Sequence, residues 1–182
     1  VEDGETVRQM FDPLIKQLST EFAGKTLLSE DIPRIPYTEA MERFGTDKPD
    51  LRFGMELTEL TDVFAETEFG VFKNAECVKA ICVKNGASLS RKQIDQFTDI
   101  AKSEGAGGLA YIRYSSKVQH DDGSPMPVIA SNSLFPDSPI VKFLLDSELK
   151  ALQDLFHPEA GDILFFGADT RKTVNKVLGR LR

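Results

Sequence analysis

The sequence contains no tryptophan, two cysteines and two histidines. Each scarcity removes a class of function. Cys77 and Cys82 have no second cysteine pair or histidine pair near them, which excludes the spacing of a zinc centre. They are expected to be reduced, buried thiols rather than a disulfide. No apolar run approaches the length that crosses a bilayer. The start, VEDGETVRQM, is acidic and has no apolar stretch of the kind a secretory signal needs. The expectation is a cytoplasmic protein with no membrane partner. Basic residues are also short: 22 Lys and Arg against 29 Asp and Glu give a formal charge of −7. Phosphate binding rests on Lys and Arg, so nucleic acid cannot be held by the surface as a whole and needs a local basic patch.

Phosphate-binding loops are missing as well. There is no Walker sequence and no glycine fingerprint for a dinucleotide. The one glycine cluster, Gly105-Ala-Gly-Gly108, lies between a helical pattern and a strand pattern. A phosphate cradle needs the reverse order, strand then loop then helix N-terminus, so the cluster reads as a helix C-cap and turn. His120 sits in polar sequence. His157, beside Pro158, marks a helix end, where it suits the helix dipole. Neither has a nucleophile next to it. No catalytic residue and no metal ligand is assigned, and no cofactor is expected on this chain.

What remains is a globular composition, 41% hydrophobic in 182 residues, with thirteen Phe to build the aromatic core. Val7, Met10, Phe11, Leu14, Ile15, Leu18 and Phe22 recur at helical steps, with Pro13 inside the stripe to kink the helix or set its start and Gly24 to end it. Thr38 is placed to cap a short helix ending at Gly45. The stretches Phe69 to Phe72, Val78 to Val83, Leu109 to Tyr114 and Gly161 to Phe166 read as strands, with a short helical stretch near Asp62 to Glu66. Ser90 and Gln93 form a capping box for a helix lined by Ile94, Phe97, Ile100 and Ala101. Residues 115–139 read as a long loop or ragged hairpin. Further helical patterns cover Pro139 to Leu145, Glu148 to Phe156 behind Ser147, and a last helix capped by Asp169. Strands and helices mix without a βαβ rhythm, which predicts an α+β fold: a mixed or antiparallel sheet covered by helices, with an N-terminal helical flank.

One segment asks for more than a turn needs. In RFGTDKPDLR, from Arg43 to Arg52, the cations Arg43, Lys48 and Arg52 bracket Asp47 and Asp50 around Pro49. Two readings stand: ion pairs that fix the turn, or a preorganised polar loop presented to an anionic partner such as an RNA phosphate.

The stretch Ile35-Pro-Tyr-Thr-Glu-Ala-Met-Glu-Arg-Phe-Gly-Thr-Asp-Lys-Pro-Asp-Leu-Arg52 resembles the bacterial-type aspartyl-tRNA synthetases. So, in the same order, do Gly86 to Asp95, Gly107 to Ile112, Ser138 to Phe143, and Gly161 to Asp169 with Val174 to Leu181. Together these cover most of the chain. Residues 115–136 depart from the family, being longer and less recognisable. The resemblance implies a catalytic-domain flank over 1–54, following the second class II motif, and a GAD-like insertion domain over 55–160. A closing strand and helix over 161–182 would lead back to the catalytic domain. Val1 and Arg182 are accordingly read as cut ends. The resemblance further implies ATP-dependent aspartylation of tRNA by the parent enzyme with ATP and Mg, and a homodimeric parent. The implied partners are tRNA and the rest of the synthetase. The piece itself would be inactive, since the ATP-binding motifs lie outside it. Arg43, Lys48 and Arg52 become tRNA-contact or turn-fixing candidates. The alternative is a free-standing GAD-type module that holds tRNA or a partner protein, as in tRNA-dependent amidotransferase subunits.

Overall fold

The computed structural model describes residues 3–27, 29–116 and 134–182. The chain divides into two compact units, Val1–Pro36 and Tyr37–Arg182.

The first unit is the helical flank. Asp3 caps helix α1 (Gly4–Gln17), its carboxylate accepting from the Thr6 N–H at 2.7 Å. Pro13 lies within the helix rather than at its start. The helix then widens into a π-turn over Leu18–Phe22, and Gly24 ends it with φ +60°. Arg34 ties the following segment back to α1 through Glu5 and Asp12, each at 3.0 Å. The apolar stripe read from the sequence is present, with Met10, Phe11, Leu14 and Phe22 exposed.

The second unit holds an antiparallel sheet flanked by helices on both faces. Its strands among the described residues are β1 (Thr58–Glu59), β2 (Cys77–Val83), β3 (Ala110–Ser115), β4 (Phe135–Asp137) and β5 (Ile163–Asp169), in the spatial order β1-β2-β5-β3-β4. The last strand in sequence is thus the central one, paired along its length with β2, from Cys77↔Asp169 to Val83↔Ile163, and with β3 from Ala110↔Phe166 to Arg113↔Ile163. Strand alternation sends its residues to two cores. Val78, Ala80, Ile112, Leu164 and Phe166 face α3 (Gly70–Lys73) and α5 (Asp146–Phe156), where Phe72, Leu149 and Leu152 cover them. Cys77, Ile81, Ile163 and Phe165 face α4 (Arg91–Ser103) and α6 (Arg171–Leu181), covered by Ile94, Val174 and Leu178. Gly167 lets α6 approach closely: a Cβ there would stand 3.2 Å from Val174 Cγ1. The same alternation separates the two thiols, five residues apart on β2. Cys77 is buried on the α6 face, while Cys82 is half-buried on the other.

Most elements fall where the pattern predicts. The capping box at α4 is present, with the Ser90 N–H donating to Gln93 Oε1 at 2.9 Å. Gly105, at φ +102°, follows the helix end. Other elements differ for physical reasons. Phe69 to Phe72, read as a strand, is the helical turn α3. A helical turn puts Phe69 and Phe72 on one side, their ring centroids 4.8 Å apart, in an aromatic cluster with Phe64 and Phe166. Asp62 to Glu66 is a run of turns rather than a helix. Pro139 to Leu145 keeps only a 3₁₀ turn at Val141–Phe143. Helix α5 starts two residues earlier than Ser147 suggested, because Glu148 Oε2 reaches back to accept from the Leu145 N–H at 2.8 Å. At α6 the cap is Thr170, not Asp169. Strand β5 begins at Ile163. Before it, the buried Asp162 carboxylate takes bonds from Lys84 Nζ and the N–H groups of Asn85 and Glu159, holding the chain in a turn. Residues 117–133, and with them His120, lie outside the described part. Strands β3 and β4 on either side pair antiparallel, with Pro136 on the sheet edge, where its missing N–H costs no ladder bond.

Candidate functional site

Helix α2 (Tyr37–Phe44) and the turn after it dock on α6. The docking is built from a glycine contact, a buried ion network and an arginine clasp.

Gly45 ends α2 at φ +68°, a conformation that L side chains rarely adopt. Its backbone lies against Gly179 on α6. A Cβ on Gly45 would stand 2.7 Å from Gly179 Cα, and one on Gly179 would stand 2.6 Å from the Gly45 carbonyl oxygen. Only two residues without side chains allow the turn and the helix to come this close.

The ion network lies on the inner side of α2. Lys79 is a β2 residue with its side chain only 2% exposed. Its ammonium donates to the Glu42 carboxylate at 2.5 Å and the Glu42 carbonyl at 3.0 Å, with the Glu59 carboxylate at 3.8 Å. Arg171, from the first turn of α6, spans the same two carboxylates at 2.9 and 2.6 Å, and Asn175 donates to Glu42 at 3.2 Å. Burial alone would raise both carboxyls. For Glu42 the Lys79 ammonium and the Arg171 guanidinium reverse that and hold it below its ordinary range. For Glu59, Arg171 and the Thr61 hydroxyl do the same. The two carboxylates are neutralised by protein cations and so are poor metal ligands. Among the described residues no group of three or more His, Cys, Asp or Glu is placed to hold a metal ion. Burial also raises the Cys77 thiol, and Glu59 adds to it, so this cysteine is a core residue rather than a nucleophile.

The clasp is Arg182. Its guanidinium donates to the carbonyls of Asp50 at 2.7 Å, Met55 at 3.2 Å and Phe53 at 3.3 Å. It also stacks between the rings of Phe44 and Phe53, 4.8 and 4.6 Å from their centroids. Periodicity gave no sign of this residue, because its partners are backbone carbonyls. The Lys79–Glu42 pair was equally hidden: a lysine inside an apolar strand pattern looks like an outward-facing position until its register is known.

The three cations singled out from the sequence are not equivalent. Arg43 points back along α2, bonded to Glu39 and bidentate with Glu56 at 2.8 and 2.6 Å. Arg52 is 82% exposed and closes the turn by pairing with Asp50. The Arg52 guanidinium, and then its backbone N–H, lower the Asp50 carboxyl to about 2. Lys48 is 87% exposed, with Asp47 3.8 Å away. Arg43 therefore belongs to the scaffold, and Lys48 and Arg52 are the cations the turn shows to solvent.

An antiparallel sheet with its last strand at the centre, sandwiched between helices and carrying this turn against α6, defines a small α+β domain of the GAD type. The family model described as the GAD domain matches residues 70–178, and the chain belongs to that family. Among curated relatives, it is 39% identical over 97% of its length to the aspartate–tRNA(Asp/Asn) ligase of Magnetococcus marinus. It is 43% identical over 98% to the enzyme of the same name from Aquifex aeolicus, and 40% identical over 99% to the aspartate–tRNA ligase of Shouchella clausii. The chain spans only 27–28% of the length of these relatives.

Proposed function

We propose that the chain is the GAD-bearing segment of an aspartate–tRNA ligase, which joins aspartate to tRNA at the expense of ATP. In this reading the insertion domain is an accessory element beside the acceptor arm of the tRNA. The observation that carries it is continuity. Identity near 40% runs through both compact units, the helical flank as well as the GAD domain, while covering little more than a quarter of each ligase. A free-standing module would have no reason to share the flank. Residues 1–54 then belong to the catalytic domain, 55–160 to the insertion, and 161–182 to the strand and helix that return the chain to the catalytic domain.

ATP and Mg belong to the parent enzyme and not to this segment. Gly105 to Gly108 lead from the C-terminal end of α4 into β3, where helix carbonyls rather than N–H groups are left over, the wrong polarity for a phosphate. The partners are tRNA and the remainder of the ligase, which acts as a homodimer in the cytoplasm. Among the described residues no helix is long and apolar enough to cross a membrane. Lys48 and Arg52 are the residues through which the segment meets tRNA phosphate.

The test is aspartate-dependent ATP–pyrophosphate exchange with the 182-residue chain and with the whole ligase. The chain alone is inert and the ligase active; clear exchange by the chain alone would overturn the reading.

A further inference from the structure

Strand β5 is longer than its neighbour on one side. Its pairing with β3 stops at Ala110↔Phe166, while its pairing with β2 continues to Asp169. Continued in register, Gly108 would face Ala168. Instead Gly107 and Gly108 leave the ladder, and among the described residues no backbone bond joins Gly108 to Ala168. Backbone bonds of an antiparallel pair alternate. The Tyr114 N–H donates to the Asp162 carbonyl at 2.9 Å, so Leu164, Phe166 and Ala168 are the β5 residues that turn N–H and C=O toward β3. Ala168, paired with Val78 on one side, therefore turns an unpartnered N–H and C=O toward the side where β3 has ended. It is half-buried, which leaves that edge open to a ligand.

The opening is a cleft. A hollow of about 440 Å³ lies there, walled by Phe69, Val71, Phe72, Ile140 and Phe166. It runs into a second depression that shares Val71, Ala168 and Asp169 and reaches Glu76. Val71 is 57% exposed, with its apolar side chain at the mouth. Cβ atoms built on Gly107 and Gly108 would meet nothing within 4 Å. Two carboxylates rim the cleft. Asp169 accepts the Thr170 N–H at 2.7 Å and Glu76 accepts the Arg171 N–H at 3.5 Å, and among the described residues neither has a cationic partner.

We propose that this cleft is a peptide-binding site. It takes an extended segment of a partner protein in which one residue adds to the sheet at Ala168. That residue's apolar side chain fills the hollow between Val71 and Phe72, and a neighbouring Lys or Arg meets Asp169 and Glu76. Three features select this occupant. The free backbone donor and acceptor match an extended chain. The walls match an aliphatic side chain. The uncompensated carboxylates match a cation and repel the phosphates of RNA.

The experiment titrates the ¹⁵N-labelled 182-residue chain with the capped peptide Gly-Lys-Val-Lys-Gly and follows backbone amide shifts. Saturable shifts centred on Ala168, Gly108 and Val71 are expected. Replacing both peptide lysines by glutamate, or N-methylating the valine, weakens binding by about tenfold or more. Val71→Lys, a change at an exposed position that leaves the fold intact, abolishes the shifts. The combined change Glu76→Gln with Asp169→Asn removes the preference for lysine over glutamate. The proposal is overturned if Ala168 does not shift or if the acidic peptide binds equally well. It also fails if Val71→Lys binds unchanged, or if the same amides respond instead to an RNA oligonucleotide or to rising protein concentration.

Discussion

Gly45 and Gly179 touch backbone to backbone although 134 positions separate them in sequence, and the first of them holds the left-handed turn at the end of α2. This contact sets the distance between the RFGTDKPDLR turn and the sheet domain. Alanine at Gly45 must both hold φ at +68° and displace α6. Alanine at Gly179 meets the carbonyl and Cα of Gly45 but carries no left-handed φ to hold. Each substitution should cost about 1–3 kcal/mol, with Gly45→Ala the more severe. Gly70, whose Cβ would meet nothing within 4 Å, is the control and should change stability by less than about 0.5 kcal/mol. Urea unfolding reads all three as midpoint shifts at constant slope.

The buried Lys79 makes a second prediction. Removing Glu42 leaves its ammonium enclosed, with only a carbonyl and the 3.8 Å neighbour Glu59 to face. Glu42→Ala should therefore destabilise by about 3 kcal/mol, the usual cost of leaving a buried charge without its partner. The double change Lys79→Met with Glu42→Ala should recover part of that loss, because no charge is then left enclosed. A double variant as unstable as the sum of both single variants would mean that the pair holds nothing in common.

The same network fixes how stability depends on pH. Glu42, Glu59 and Asp162 all have carboxyls held below their ordinary values, which are 4.5 for the two glutamates and 3.8 for the aspartate. In each case burial opposes the shift and the cationic and N–H donors prevail. A depressed folded-state value means the unfolded chain binds protons first. The stability these groups contribute is therefore fully present above about pH 5 and drains away as pH falls through and below 4. Thermal midpoints from pH 7 down to 3 should stay level and then drop, and Glu42→Gln should flatten the drop. A midpoint that falls already between pH 7 and 6 would point to another group.

Arg182 works through shape rather than charge alone. A planar guanidinium between Phe44 and Phe53 reaches the carbonyls of Asp50, Phe53 and Met55 at once. Lysine offers one compact ammonium and cannot stack in the same way. Arg182→Lys should thus loosen the loop nearly as much as Arg182→Ala. Faster amide hydrogen exchange over residues 50–56, with α4 unchanged, is the expected signature; protection fully restored by lysine would reduce the clasp to a simple charge.

How much of this was legible beforehand depends on distance along the chain. Local rules found the Ser90–Gln93 cap and the glycine stop at Gly105, because the atoms involved lie within a turn of one another. The same rules misread Phe69 to Phe72, four residues whose form is set by the aromatic partners Phe64 and Phe166. They could not see that Ile163–Asp169 inserts between two strands laid down earlier, since nothing in an apolar run names its neighbours. In the site, RFGTDKPDLR was conspicuous as a cluster of opposite charges. Its division into scaffold and display depends on Glu56 and Arg182, which sequence reading had no reason to associate with it.

That division yields the sharpest functional prediction. Arg43 is held by Glu39 and Glu56, whereas Lys48 and Arg52 are 87% and 82% exposed, and Arg52 has guanidinium donors beyond those its Asp50 pair takes, as a phosphate contact requires. In the intact ligase, Lys48→Ala combined with Arg52→Ala should slow tRNA charging by about tenfold while leaving aspartate activation within about twofold. Because released counterions drive such contacts, the variant should also show a shallower dependence of tRNA affinity on salt, by roughly one to two units of log–log slope. Arg43→Ala should behave differently. It removes a support of the α2–Glu56 junction, so the midpoint of unfolding falls and both reactions decline together, with the salt slope unchanged. Equal loss of charging and activation in the Lys48–Arg52 variant would assign the whole turn to the scaffold. The contrast between two adjacent sets of cations separates a surface that meets RNA from one that holds the domain together.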